Sequence, residues 1–207
     1  MRPDKTRPYR SPRRRAQAAE TRRHIVDAAQ SLFVDRGLGA TSVADIARAA
    51  GVATPTVYAS FGSKSALLLA VLDQLTAAAG IEGMREALRS HGDDPRAQLA
   101  AYVHFDRVLF EQGRDIIGVG LRARSDPEID AWFSEGERRR RAGQAPVVRG
   151  WHRAGVLRPG LGERRAGDIL WALTGPAVYQ LFVVESGWSP SAFERWLREL
   201  LEKTLLA

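Results

Sequence analysis

The strongest constraint on this chain lies in residues 42–60, where two short helical segments meet across a glycine. Ser42 can cap the first segment, and Asp45, at its third helical position, can answer as the acid of a capping box. Val43, Ile46, Ala47 and Ala50 give it a short apolar face, and Gly51 ends it. After the turn Gly51-Val52-Ala53, Thr54 is placed as N-cap and Pro55 as first helical residue, where a missing N–H costs nothing. The second segment runs to about Ser60. Two short helices joined by a turn with a glycine follow the helix-turn-helix plan, a pairing that simple bundles also contain.

The flanking residues supply a third helix and more. Ile25, Ala28, Ala29, Leu32 and Phe33 recur on one helical face from Thr21, and Gly37 and Gly39 stop it. On the other side Ser63 caps a helix over 64–79, with Leu67, Leu68, Val71, Leu72 and Leu75 on its buried side. Residues 1–19 hold three prolines and seven Lys/Arg with almost no bulky apolar side chain, so they are expected to form a disordered basic arm. Further helices are expected near 96–112, 114–124, 127–154, 162–186 and 190–206. Only residues 116–119 and 178–184 carry any strand signal. The expected fold is all-α: the arm, a three-helix domain at 20–80 with its helix-turn-helix at about 42–61, and a larger helical domain at 81–207.

Charge divides the chain in the same place. Residues 1–70 contain 12 Lys/Arg against 5 Asp/Glu, and residues 71–207 contain 19 of each, so the whole net charge of +7 sits in the first third. A basic segment joined to a neutral one suggests a nucleic-acid-binding part and a part with another task, because Lys/Arg that neutralise phosphates release counterions. All five tryptophans fall in the neutral part. With no cysteine and four dispersed histidines, neither a metal site nor a cofactor is expected. The longest apolar stretches fall short of the roughly 18 to 20 residues that a membrane span needs, and no apolar region follows the N-terminal charges, so a cytoplasmic chain without a membrane partner is expected.

The string Thr41-Ser-Val-Ala-Asp-Ile-Ala-Arg-Ala-Ala-Gly-Val52, followed by Thr54-Pro-Thr-Val-Tyr58, Phe61, Lys64 and Ala66-Leu67, resembles the DNA-binding domain of the TetR family of transcriptional regulators. The likeness covers about residues 20–80, its pieces in order and at the family's spacing. It implies double-stranded DNA as partner, with the 54–60 helix in the major groove, Thr56 near base edges, and Tyr58 and Lys64 against phosphates. Ser42, Thr54 and Pro55 complete the expected DNA-contacting set; the plain alternative is that Thr54 only caps and Tyr58 only packs. Ala59 and Ser60 depart from the bulky residues that often follow the family's tyrosine. Arg7, Arg10, Arg13, Arg14 and Arg15 in the arm are expected to add contacts in an adjacent minor groove, the alternative being a solvated tail.

In the second domain Phe105, Leu109, Trp132, Trp151 and Trp171 are candidates to line a pocket for a small, largely apolar effector, with His104, Asp106, Gln112 and His152 as polar candidates. The run Arg138 to Arg141 is expected to be a solvated face. Gly118 and Gly120 fit a loose dinucleotide-binding pattern, yet no strand precedes them, so they are expected to thin a helix wall beside the pocket. The last two helices carry Leu170, Leu173, Tyr179, Leu181, Phe182, Trp196, Leu197, Leu200, Leu201 and Leu205, more apolar surface than one helix pair can bury, which points to a homodimer through them. The expected activity is that of a homodimeric repressor released from a palindromic operator by its effector. Two rivals stay open: an architectural DNA binder dominated by the arginine arm, and a helical enzyme on a DNA anchor. The second has no paired acid, base or nucleophile behind it.

Overall fold

The computed structural model describes residues 12–207 apart from Asp93 and Ala123. Helix α1 (Pro12–Arg36), α2 (Val43–Ala49), α3 (Thr54–Phe61) and α4 (Lys64–Ala78) form the N-terminal unit. They are followed by α5 (Ile81–Ser90), α6 (Pro95–Gln112), α7 (Arg114–Arg122), α8 (Pro127–Arg153), α9 (Glu163–Leu173) and α10 (Pro176–Tyr179). The last of these runs on as a π-helical turn (Gln180–Glu185) before α11 (Pro190–Leu205). The described residues contain no strand, only an isolated bridge between Leu157 and Leu206. Residues 116–119 and 178–184 are helical.

The start signals act where the sequence puts them. Ser42 accepts from the Asp45 amide while Asp45 reaches back to the Ser42 amide, closing the capping box at the start of α2. Ser63, Asp94 and Ser189 cap α4, α6 and α11, the latter two with proline in the first turn. At α3 the expectation is off by one residue: Ala53 is the N-cap, no side chain caps the helix, and Thr54 already lies within it. Gly51 takes φ +67° in the turn between α2 and α3, a left-handed conformation that costs a glycine nothing.

Three larger differences have physical causes. Residues 12–19 are helical and not a disordered arm, because Pro12 suits a first turn and Arg13 to Glu20 are nearly all strong helix formers. The rest of the expected arm, 1–11, lies outside the described residues. Helix α5 is absent from the expected set; it buries Met84 and half-buries Ile81 and Leu88 behind a surface of charges and Gly83. The single helix expected over 162–186 breaks at Thr174-Gly175-Pro176, since the proline cannot continue the α9 ladder.

One apolar core runs through both units. Ile25, Ala29 and Phe33 of α1 close over Ile46, Val57, Phe61, Leu67 and Val71, and the core continues through Leu99, Ile116, Val148 and Leu170 to Leu197, Leu201 and Leu205. Five of the residues expected at a dimer interface, Leu170, Tyr179, Leu197, Leu201 and Leu205, are therefore buried within one subunit. Helices α6 and α11 absorb more apolar surface than the count of residues on α9 to α11 suggests. Leu181 and Trp188 stay exposed, at 52% and 36%.

Candidate nucleic-acid interface and effector cavity

Helix α3 is held by its apolar side, through buried Val57 and Phe61, and turns Pro55, Tyr58 and Ala59 outward, with Thr54 and Thr56 half-buried. Tyr58 is 51% exposed. The C-terminal end of α3 is pinned to α1: the Arg22 guanidinium lies 4.0 Å over the Phe61 ring and donates to the Ser60 carbonyl at 2.5 Å. Lys64, half-buried, opens α4 one short turn later. Ser42 is exposed, but its hydroxyl donates to Asp45 at 2.5 Å and accepts from the Asp45 amide, so its first task is capping. Those bonds hold the Asp45 carboxyl below its ordinary range. Arg13, Arg14 and Arg15 are exposed on the first turn of α1. Tyr58 is thus the exposed side chain of the expected set on α3, Thr56 and Lys64 are half-buried, and the three arginines lie on α1. Arg22 is the residue that sequence reasoning missed here, because nothing local marks a ring stack 39 residues away.

A cavity of about 630 Å³ lies among α4, α5, α6 and α8. That volume falls within the range of small-molecule sites. Phe105, Leu109 and Trp132 line it, together with Leu72, Met84, Tyr102 and Phe110. Trp151 does not: it is buried against α6, its indole N–H donating to Gln98 at 2.7 Å. Trp171 does not line it either; it lies under the Arg140 and Arg141 guanidiniums beside a second, adjoining cavity. Of the polar candidates only Asp106 faces the main cavity; His104 is exposed and bonded to Glu194, and Gln112 and His152 are exposed. The arginine run is not uniformly solvated. Arg138, Arg139 and Arg141 are exposed, but Arg140 turns inward, donating to the Trp171 carbonyl, Thr174 and Glu137.

The cavity borders the N-terminal unit along α4, through Leu72, Asp73, Thr76 and Ala77, and one of its walls is also bonded to that helix. Trp132 lines the cavity and donates its indole N–H to the Leu68 carbonyl of α4 at 2.9 Å. Gly120 of α7 makes room for this, since a Cβ there would stand 2.9 Å from the Trp132 ring and 2.2 Å from that of Phe133.

The model of bacterial regulatory proteins, tetR family, matches residues 25–71, the span from the middle of α1 to the middle of α4. Residues 25–71 are thus similar to the TetR-family DNA-binding domain. TtgR of Pseudomonas putida, an HTH-type transcriptional regulator, is 43% identical over 63 residues, which cover 30% of this chain and 30% of TtgR. The chain therefore spans about a third of the length of the first curated relatives it matches. Solved structures extend the likeness to the rest of the fold. NalD of Pseudomonas aeruginosa, the secondary repressor of the MexAB-OprM multidrug efflux pump, superposes with a TM-score of 0.73 at 26% identity, covering 91% of this chain and 98% of NalD. The regulator FadR of Bacillus subtilis, in complex with stearoyl-CoA, superposes with a TM-score of 0.71 at 22% identity, covering 86% and 96%. The shared fold thus takes in the second domain as well as the first. Among the described residues no single helix is long and apolar enough to cross a membrane, and no group of three or more His, Asp or Glu could hold a metal ion.

Proposed function

We propose that this chain is a homodimeric transcriptional repressor of the TetR family that leaves a palindromic operator when a small, largely apolar effector fills the second domain. The observation that carries the reading is the position of Trp132, which forms a wall of the 630 Å³ cavity and hydrogen-bonds the helix that begins at Lys64. An occupant that displaces the indole acts directly on α4, and through it on the spacing of two recognition helices that must sit roughly 34 to 36 Å apart. Exposed Leu181 and Trp188, beside half-buried Phe182 and Trp196, offer the face for a second copy of the chain. The relatives support the two halves of the reading: NalD is a repressor, and FadR was solved with an acyl-CoA. An effector shifts the equilibrium only by its differential affinity for the two states, usually about 1 to 3 kcal/mol.

The test is selection of a binding site from random DNA, followed by electrophoretic shift of the selected site against scrambled DNA in rising salt. A specific regulator keeps its preference as salt rises; an architectural binder loses both together. On the selected site, Tyr58→Ala and Lys64→Ala are each expected to weaken binding with the dimer still folded, since neither side chain is buried in the core. Thr56→Ala is expected to relax base preference more than affinity. Wild-type affinity in both the Tyr58 and Lys64 variants overturns the assignment of α3 as the recognition helix.

Replacing Arg13, Arg14 and Arg15 together by alanine keeps the helical start of α1, because alanine is the best helix former. It is expected to flatten the plot of log K against log salt by about 0.9 for each phosphate that the variant no longer neutralises. An unchanged slope means that these three side chains touch no DNA.

A further inference from the structure

Four arginines line the main cavity, and each already has a carboxylate of its own. Arg85 pairs with Glu82 at 2.6 Å, Arg138 with Glu135 at 2.7 Å, Arg139 with Asp73 at 2.5 Å and Arg140 with Glu137 at 2.7 Å. Asp106, on α6, is the acid left over. It is 3% exposed, and its Oδ2 has no hydrogen-bond partner. Thr174 is within hydrogen-bond reach of the carboxyl, but its hydroxyl is shared among several partners. It accepts from Arg140 at 3.0 Å and from Gln144 at 2.8 Å, and its single proton faces the Leu170 carbonyl at 2.7 Å. Gln144 leaves a second buried acceptor, Oε1, without a partner beside the same threonine. Buried polar groups are normally satisfied, and a surplus buried carboxylate is costly unless something supplies protons to it. Oδ2 of Asp106 has no protein donor, and an N–H group of a molecule bound in the cavity that Asp106 lines would supply one.

We propose that the effector cavity is built for an apolar molecule with a single basic, N–H-bearing head, an amine, which Asp106 receives while the body lies along Met84, Phe105, Leu109 and Trp132. The inference rests on the effector-binding reading above. The charged groups around Asp106 are Arg140 and Glu137 from α8, with Arg85 on α5 across the cavity and the Tyr102 hydroxyl on its own helix, itself pushed up by burial. Burial, set against the attraction of Arg140, pushes the Asp106 carboxyl up to about 7. At pH 8 it is therefore ionised in a buried site, opposed by Glu137 and only partly offset by Arg140, the state in which a cationic head gains most. A carboxylate head would instead meet arginines whose acids are in place and an unpaired anion beside them.

The experiment titrates the full-length protein at pH 8 with three probes of one chain length: decylamine, 1-decanol and decanoic acid. Tryptophan fluorescence and calorimetry report binding. In the wild type decylamine is expected to bind at least about tenfold more tightly than decanoic acid, the gain of one charge-assisted hydrogen bond. In Asp106→Asn that ratio is expected to fall close to one, while decanol, which reports the integrity of the cavity, keeps its affinity. Decanoic acid binding as tightly as the amine, a ratio that survives Asp106→Asn, or no binding by any probe overturns the proposal. The wild-type ratio is decisive even without the variant. Release of the selected operator is read in the same titrations. Decylamine that binds through Asp106 yet leaves the DNA complex intact upholds the head-group assignment and overturns the regulatory reading instead.

Discussion

Asp106→Asn is expected to stabilise the protein at pH 8 by roughly 4 kcal/mol and to change it little in acid. The carboxyl titrates at about 7 in the folded chain, against an ordinary 3.8, so the folded state holds on to a proton that the unfolded state has released between those values. Wild-type stability contributed by this group is therefore fully present below about pH 3.8 and lost as pH rises towards 7, and a span of about three pH units corresponds to about 4 kcal/mol. Asparagine keeps the size and one acceptor but never ionises, so the variant escapes that loss. Measured as thermal midpoints, the advantage of the variant is expected to widen by about 3 kcal/mol between pH 4.5 and pH 8, near 10 °C at the roughly 2 to 4 °C per kcal/mol typical of this size. A gap that stays constant across the pH series means that Asp106 is ordinary in the folded chain.

What the sequence disclosed follows the range of the forces involved. Caps and turns are local, so Ser42, Ser63, Asp94 with Pro95, and Ser189 with Pro190 mark helix starts that the structure keeps. The N-terminal part of α1 is illegible because the absence of an apolar face reads as disorder. A helix nucleated by Ile25, Ala29 and Phe33 can nevertheless propagate through Arg, Ala, Gln and Glu at little cost per residue. The cavity is partly legible. Phe105 and Leu109 stand four apart on α6 and share a face, whereas Trp132 and Trp151 are nineteen apart on α8, a rotation of about 100° that sends the second away from the first. Periodicity holds that answer; residue type alone conceals it. Asp106 is visible as one polar candidate among four, and only the pairing of every arginine around it singles it out.

Gly120→Ala and Gly167→Ala are expected to move stability in opposite directions, although both replace a glycine in a helix. Alanine is favoured over glycine in a helix interior by about 1 kcal/mol, and Gly167 on α9 has nothing within 4 Å of an added Cβ, so that variant is expected to gain up to this amount. At Gly120 the new Cβ would stand 2.2 Å from Cε2 of Phe133 and 2.9 Å from Cζ3 of Trp132, where carbon contacts normally settle near 3.5 to 4.0 Å. Neither ring is free to yield. They pack edge to face at 4.8 Å, both are buried, and Trp132 is tied to the Leu68 carbonyl. Relief therefore requires α7 to move off α8 or Phe133 to leave its rotamer, at about 1 to 3 kcal/mol, which exceeds the propensity gain. The thermal midpoint of the Gly120 variant is expected to fall by several degrees, with a change in tryptophan emission as the indole of Trp132 is pushed towards the cavity. Equal shifts of the same sign in the two variants mean that the close approach of α7 and α8 does not constrain the domain. A loss of stability in Gly120→Ala together with weaker operator binding is the outcome expected if Trp132 transmits the state of the cavity to α4, since residue 120 lies on α7, outside the helix-turn-helix and outside the cavity lining.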